Sequence, residues 1–405
     1  MVYPGARSAG CALCKKRKIK VCHVNTCDDF CLNGAPSPPI SVTKRDLSVA
    51  AVTCTVCPGY DRPLELTWLC RATTSRRRCM KRARRYYGVA LRSVGAVLAQ
   101  EPKTWQDDTV AAIMLLHQFE DTDEEVFSNR VAHLGGVNGV LKLRKEMLLS
   151  KLLGYSLHPW AFSQLQIHAF LTKTSFECLT VPDPEPDTRD HPTGLTVLVA
   201  KIGRFWSSLS ERLEISYDNP EAQRRQLELL HSSITDAWCI HVHMGDWEQP
   251  LSAAWTPGDT VSDDGRVLVT YSHQWLGIVW MMFYATCMIF YHAIIRCCRS
   301  LAAVRSLRGK NEKKSIVLFT RLAESHLKRL TDRVCSSIPY CLGKVDKEGR
   351  AMKIPHYKGI VCYELIWPFA LVAELSYSTD TQARVSKETL KRIESMYGIK
   401  LAGTA

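Results

Sequence analysis

Cys11 and Cys14, followed at once by Lys15, Lys16, Arg17, Lys18, Ile19 and Lys20, are the residues of this chain whose types and spacing best suit chemistry. Two cysteines separated by two residues can grip one zinc ion from a tight turn. Their thiolates are soft ligands suited to zinc, and adjacent cations lower their pKa. Bound metal would fold a segment too small to fold alone and so hold the cations in place. In a helix-compatible stretch those cations would face DNA phosphates or guanine edges. Further thiols follow at Cys22, Cys27, Cys31, Cys54 and Cys57, with His23 as a further ligand type. One tetrahedral zinc site from Cys11, Cys14 and two later cysteines is physically easy.

Charge separates this head from the rest. Of the net +13, residues 1–85 hold +12 (17 Lys or Arg against 5 Asp or Glu) and residues 86–405 hold +1 (36 against 35). A basic head on a neutral body points to a polyanion partner, because phosphate neutralisation dominates non-specific nucleic-acid affinity. A basic tail serving only solubility or nuclear import is the plainer alternative. Nine of the 17 cysteines fall in residues 11–79. Met1 to Gly10 has no apolar signal-peptide core, so the clustered cysteines are expected to be metal ligands, not disulfides. The scattered ones, among them Cys178, Cys239, Cys287 and Cys362, are expected to be buried small hydrophobes.

The opening Gly10-Cys11…Cys14-Lys-Lys-Arg-Lys-Ile-Lys20 and the exit Cys57-Pro58-Gly59-Tyr60 resemble the fungal binuclear zinc-cluster transcription factors, in which six cysteines hold two zinc ions. Stretches such as Leu91 to Leu98, Val131 to Gly136, Ser337 to Tyr340 and Leu365 to Phe369 look like the helical regulatory domain found in many members. The likeness thus spans nearly the whole chain. It implies Zn²⁺ bound by Cys11, Cys14, Cys22, Cys27, Cys31 and Cys57, and Lys15, Lys16, Arg17, Lys18 and Lys20 on double-stranded DNA, commonly at CGG-type triplets. It also implies a nuclear regulator of RNA polymerase II genes, working with coregulators, able to homodimerise, and in many members controlling a metabolic or secondary-metabolite gene cluster. The cysteine spacing departs from the family after Lys20. Val21 stands where the third cysteine belongs, Cys27 and Cys31 are separated by three residues instead of two, and the whole of 32–56 intervenes between Cys31 and Cys57. Residues 21–53 read like an insert, from a retained intron or misjoined gene model, or from divergence. The alternative they raise is a degenerate relative, or mis-spliced product, acting through protein interactions without specific DNA binding.

The elements that must position these residues are helical. A Cys-rich head is expected over 1–60, a basic linker over 61–85 and a helical regulatory body over 86–405, giving a mainly all-α chain with few convincing strands. Apolar residues recur at helical spacing at Tyr87, Leu91, Val94 and Leu98, and at Val110, Ile113, Met114 and His117. Further helices are predicted over 158–179, 195–216, 219–243, 271–301, 312–337, 358–376 and 383–397. Residues 275–295 contain no Asp, Glu, Lys or Arg over 21 positions, long enough to cross a bilayer. Without basic clusters or aromatic belts on both sides they are expected to form a helix buried all round, with no membrane partner.

No catalytic motif stands out: GxSxG, HExxH and phosphate-loop patterns are absent from the sequence, so an enzyme is not expected. His241 and His243 are two apart, and on a helix they do not share a face, so packing roles are expected. The acidic run Glu120 to Glu125 is expected to be a solvated loop, and the basic run Arg76 to Arg85 either a DNA or import element or a solvated helix start.

Overall fold

The computed structural model describes residues 73–101, 105, 107–120, 130–146, 158–172, 191–214, 220–303, 310–353 and 359–397. The chain divides into two units, residues 1–116 and 117–405. In the first, α1 (Thr73–Leu98) carries the basic run into the body, and the linker expected over 61–85 therefore enters a continuous helix at Thr73. Trp105 folds back to donate its indole N–H to the Val97 carbonyl at 3.1 Å, tying the segment after α1 to its last turn.

Helix α2 (Asp107–Glu120) opens on two acidic residues that suit the positive end of the helix dipole. Its Val110, Ile113 and Met114 are buried, as their spacing predicted. Glu120 corrects the reading of the acidic run. It is fully buried, closes α2, and sits 2.9 Å from His133 Nε2 on α3 (Arg130–Glu146). A carboxylate there is tolerated because it has a specific partner.

In the second unit, α4 (His158–Thr172), α5 (His191–Glu214) and α6 (Pro220–Glu248) lead to a hairpin and then to α7 (Gln274–Ala303) and α8 (Lys310–Cys341). α9 (Gly359–Glu364), α10 (Ile366–Glu374) and α11 (Asp380–Tyr397) close the fold. Pro220 takes the first position of α6, where its missing N–H costs nothing. One helix predicted over 358–376 is two. Pro368 has no N–H to offer the Glu364 carbonyl, and its ring crowds that carbonyl, so α9 stops at Glu364 and α10 restarts after Leu365. α11 begins three residues earlier than predicted because Thr379 and Gln382 form a capping box. Gln382 Oε1 accepts from Thr379 N at 2.9 Å, and Thr379 Oγ1 accepts from Gln382 N at 3.3 Å.

The hairpin is an addition to the expected helices. β1 (Gly258–Val261) and β2 (Val267–Thr270) pair antiparallel, Gly258 opposite Thr270 and Val261 opposite Val267. Gly265 turns the chain at φ 79°. Leu268, Val269 and Thr270 are buried, β2 packs on α8, and Arg333 of α8 pairs with Asp259. β2 ends at Thr270 and residues 271–273 turn the chain out of the hairpin, so the helix starts at Gln274 and not at 271.

α7 is the central element. Its length and composition would suit a membrane span, but 78% of its most apolar window is buried inside the protein, and α5, α6, α8, α9 and α10 all pack on it. Met281, Ala285, Cys287, Met288, Phe290, Ala293 and Cys297 are all fully buried. Such a helix must be apolar all round, as the sequence is. Gly277 lets the wall close. A Cβ there would lie 3.2 Å from Cys341 Sγ and 3.2 Å from Tyr271 Cδ2.

Candidate functional site

The metal candidates Cys11, Cys14, Cys22, Cys27, Cys31 and Cys57, and the DNA-facing candidates Lys15, Lys16, Arg17, Lys18 and Lys20, lie outside the described residues. Their donor chemistry stands on the sequence. Six thiolates form a set suited to Zn²⁺, with cations directly after the second. Among the described residues no three His, Cys, Asp or Glu side chains gather into a metal-binding group.

The described part of the basic region is helical. On α1, Lys81, Arg82 and Arg85 are exposed. Their spacings of three and four put them on one side of the helix. Arg82 stacks over the Tyr86 ring at 5.9 Å, which holds its guanidinium against the helix surface.

Among the described residues of the body, two recesses bring polar or aromatic side chains together. The first is an open cleft of about 340 Å³ between α5 and α6, lined by Lys201, Arg204, Phe205, Arg212, Asp236 and His243 among others. Arg212 is occupied structurally: it donates to the Leu229 carbonyl at 3.1 Å and to Ser233 Oγ at 2.6 Å, clamping the two helices. Cys239, expected to be buried, is exposed beside this cleft, whereas Cys287 and Cys362 are buried as expected. Cys178 lies outside the described residues.

The second recess is an apolar groove above α7. α6 and α8 both pack on α7, and aromatic side chains bridge the space between them. Trp238 meets Phe319 edge-on at 6.0 Å, and His241 meets His326 edge-on at 5.0 Å. Tyr291 and Ile294 of α7 line the same recess. His241 Nδ1 is 2.8 Å from Tyr291 Oη, and the His326 ring stacks flat on Tyr291 at 4.7 Å. Arg329 donates to His326 Nδ1 at 3.2 Å, which requires an unprotonated nitrogen there. Burial, then the Arg329 charge, then His241 push the His326 pKa down to about 4. Burial and Arg329 likewise lower that of His241. Both rings are packing groups held neutral. His243, two residues on, faces the other cleft and is exposed, as helical geometry requires.

The groove was not anticipated from sequence. Its lining from α6 and α8 includes Ile234 and Trp238, and Phe319 and Leu322, apolar residues at i, i+4 and i, i+3 spacing.

A family model described as the fungal specific transcription factor domain matches residues 47–400. Neither a curated protein nor a solved structure matched the chain.

Proposed function

The chain belongs to the fungal specific transcription factor domain family, and from that premise we propose that it is a nuclear, zinc-dependent, sequence-specific DNA-binding regulator without catalytic activity. The observation that carries the DNA-binding part is the placement of charge. Residues 1–85 hold +12 of the net +13, and five of their cations follow a C-x2-C pair directly. Zn²⁺ held by the head thiolates would fix Lys15, Lys16, Arg17, Lys18 and Lys20 against a major groove, and the helical body would regulate the head's activity through coregulators or a second copy. CGG-type triplets are the first sites to test.

The experiment uses the full chain under reducing conditions. Zinc is counted per chain, and binding to a CGG-containing duplex and to a scrambled duplex is measured across a salt series. At least one zinc per chain is expected, with a preference for the CGG duplex. Changing Lys15, Lys16 and Lys18 together to Ala should lower the slope of log affinity against log salt by about 2–3. Absence of zinc, or a slope unchanged in the triple variant, overturns the proposal.

A second reading rests on the cysteine spacing after Lys20. A regulator with an incomplete cluster would act through protein contacts alone. Equal affinity for both duplexes, with helical content and body stability intact, would favour it. A spliced-transcript map across codons 21–53 separates the two further, because loss of that stretch with recovery of regular spacing restores the DNA-binding reading.

A further inference from the structure

We propose that the cleft between α5 and α6 binds a small organic dianion, a phosphate monoester or a dicarboxylate on an apolar body. The cleft follows from how the two helices are pinned. At one end Arg212 of α5 donates to Ser233 of α6 at 2.6 Å. At the other, Gly194 lies so close to Trp247 that a Cβ there would be 2.9 Å from Trp247 Cδ1. The helices therefore run antiparallel, and the cleft of about 340 Å³ lies along their seam. That volume is in the range of small-molecule sites. Lys201, Arg204, Ser208 and Arg212 recur at spacings of three and four, so they share one side of α5. Asp236, Ile240 and His243 do the same on α6 and form the facing wall.

Charge chooses the ligand. The lining holds three cations, Lys201, Arg204 and Arg212, against one carboxylate, Asp236, an excess of +2 with His243 neutral. Arg212 is committed to the helix clamp. Lys201 and Arg204 have no ion pair or hydrogen bond among the described residues, and neither has Asp236 across the cleft. Opposite charges thus line one recess without meeting, and the excess is left for a group from outside. A lysine and an arginine one turn apart can close on a single anionic group, the ammonium as a point charge and the guanidinium fork on two oxygens. Ser208, a turn further on, adds a hydroxyl that also lacks a partner among the described residues. An excess of two charges favours a dianion over a monocarboxylate. Phe205 and Ile240, each 8% exposed, give the cleft an apolar floor on which a carbon body can rest.

Size and shape favour one small molecule over a nucleic-acid strand. Lys201 and Arg212 lie about three turns apart along α5, roughly 16 Å, and the pinned ends bound the recess beyond them. Cations on a convex helix face are satisfied by water, whereas these two line a concavity with a floor that water wets poorly. The inference rests on the geometry of the body alone, so it can fail while the DNA-binding reading stands, and the reverse.

Cys239 lines the cleft and is exposed, so its thiol reports occupancy from inside the site. The full chain is treated with iodoacetamide in the presence of phenyl phosphate, phthalate, inorganic phosphate or neutral benzyl alcohol. The alkylation rate is read by mass spectrometry on the peptide that carries Cys239. Phenyl phosphate or phthalate should slow it about fivefold at about four times the half-protecting concentration, and the more potent of the two identifies phosphate or dicarboxylate as the source. Inorganic phosphate should need about tenfold more, because it gains nothing from the apolar floor. Arg204→Gln and, separately, Lys201→Gln should each raise the half-protecting concentration about tenfold. Both should leave Tm and the unprotected alkylation rate unchanged, because neither side chain gives up a bond within the body. No protection by either dianion, equal protection by benzyl alcohol or inorganic phosphate, or protection untouched by both variants overturns the proposal. So does protection by a DNA duplex at lower concentration than either dianion, since that outcome assigns the cleft to the DNA surface.

Discussion

Replacing Phe290 by Ala, beside Ile289→Ala as its control, tests whether α7 is the centre of the body or a surface-facing apolar helix. The two residues are neighbours in sequence and point apart. Phe290 is fully buried, while Ile289 is partly exposed. The Phe290 ring packs edge-on against Phe205 of α5 at 5.4 Å and against Tyr291 at 5.1 Å. Removing it loses the transfer energy of the ring, leaves a cavity, and breaks two aromatic contacts. Together these amount to about 3–5 kcal/mol. For a body of this size each kcal/mol moves Tm by roughly 2–4 °C, so a loss of about 10 °C is expected. Ile289→Ala deletes a side chain already partly in water and should cost about 1–2 kcal/mol. Differential scanning fluorimetry of the full chain without detergent reads both. Equal shifts, or a larger one for Ile289→Ala, would refute the central placement of α7. Wild-type protein that pellets with membranes would refute it too.

Acidification from pH 7 to 5 should destabilise the wild-type chain more than His326→Gln. His326 titrates near 6.5 when unfolded and near 4 when folded, so the unfolded state binds the extra proton between those values. The contribution of the neutral ring is therefore complete above 6.5 and lost as pH falls towards 4. Parallel Tm-against-pH curves for the two proteins would remove that assignment. Gly277→Val should cost about 1–3 kcal/mol in a urea titration, because the added atoms meet Cys341 Sγ and Tyr271 at 3.2 Å before any further methyl is placed. A midpoint within error of wild type would show that the α7–α8 contact opens freely.

The helical body was legible where one residue type dominated a local decision. Twenty-one positions without a charge announced α7. The paired spacings of Val110, Ile113 and Met114 announced the buried side of α2. What escaped depended on partners remote in sequence or on competing local signals. Glu120 reads as part of a solvated acidic run until His133, 13 residues on, supplies its partner. Asp264-Gly265 between Asp259-Thr-Val and Val267-Leu-Val is a hairpin signal that the expectation of few convincing strands passed over. The Pro368 break was readable from chemistry alone, because a proline four residues after Glu364 forbids that hydrogen bond. For the head, sequence carries the whole argument: Cys11, Cys14 and the five cations were read from spacing and type, and their placement lies outside the described residues. The groove was hidden for another reason. Trp238 and Phe319 are far apart in sequence, and only the shared packing of α6 and α8 on α7 makes them neighbours.

The thiols around α7 give the body a built-in reporter of its own integrity. Seven free cysteines have described side chains, and of these Cys287, Cys297, Cys298, Cys341 and Cys362 are buried. Burial also pushes the Cys297 thiol up to about 12 and that of Cys335 up to about 11, so neither supplies much nucleophilic thiolate at neutral pH. Cys239 alone of the seven is exposed. Among these seven, a brief pulse of alkylating reagent therefore marks folded bodies at Cys239 first and unfolded ones at all seven. The labelled fraction of the peptides that carry the five buried thiols counts the unfolded population directly, without a dye or an activity to follow.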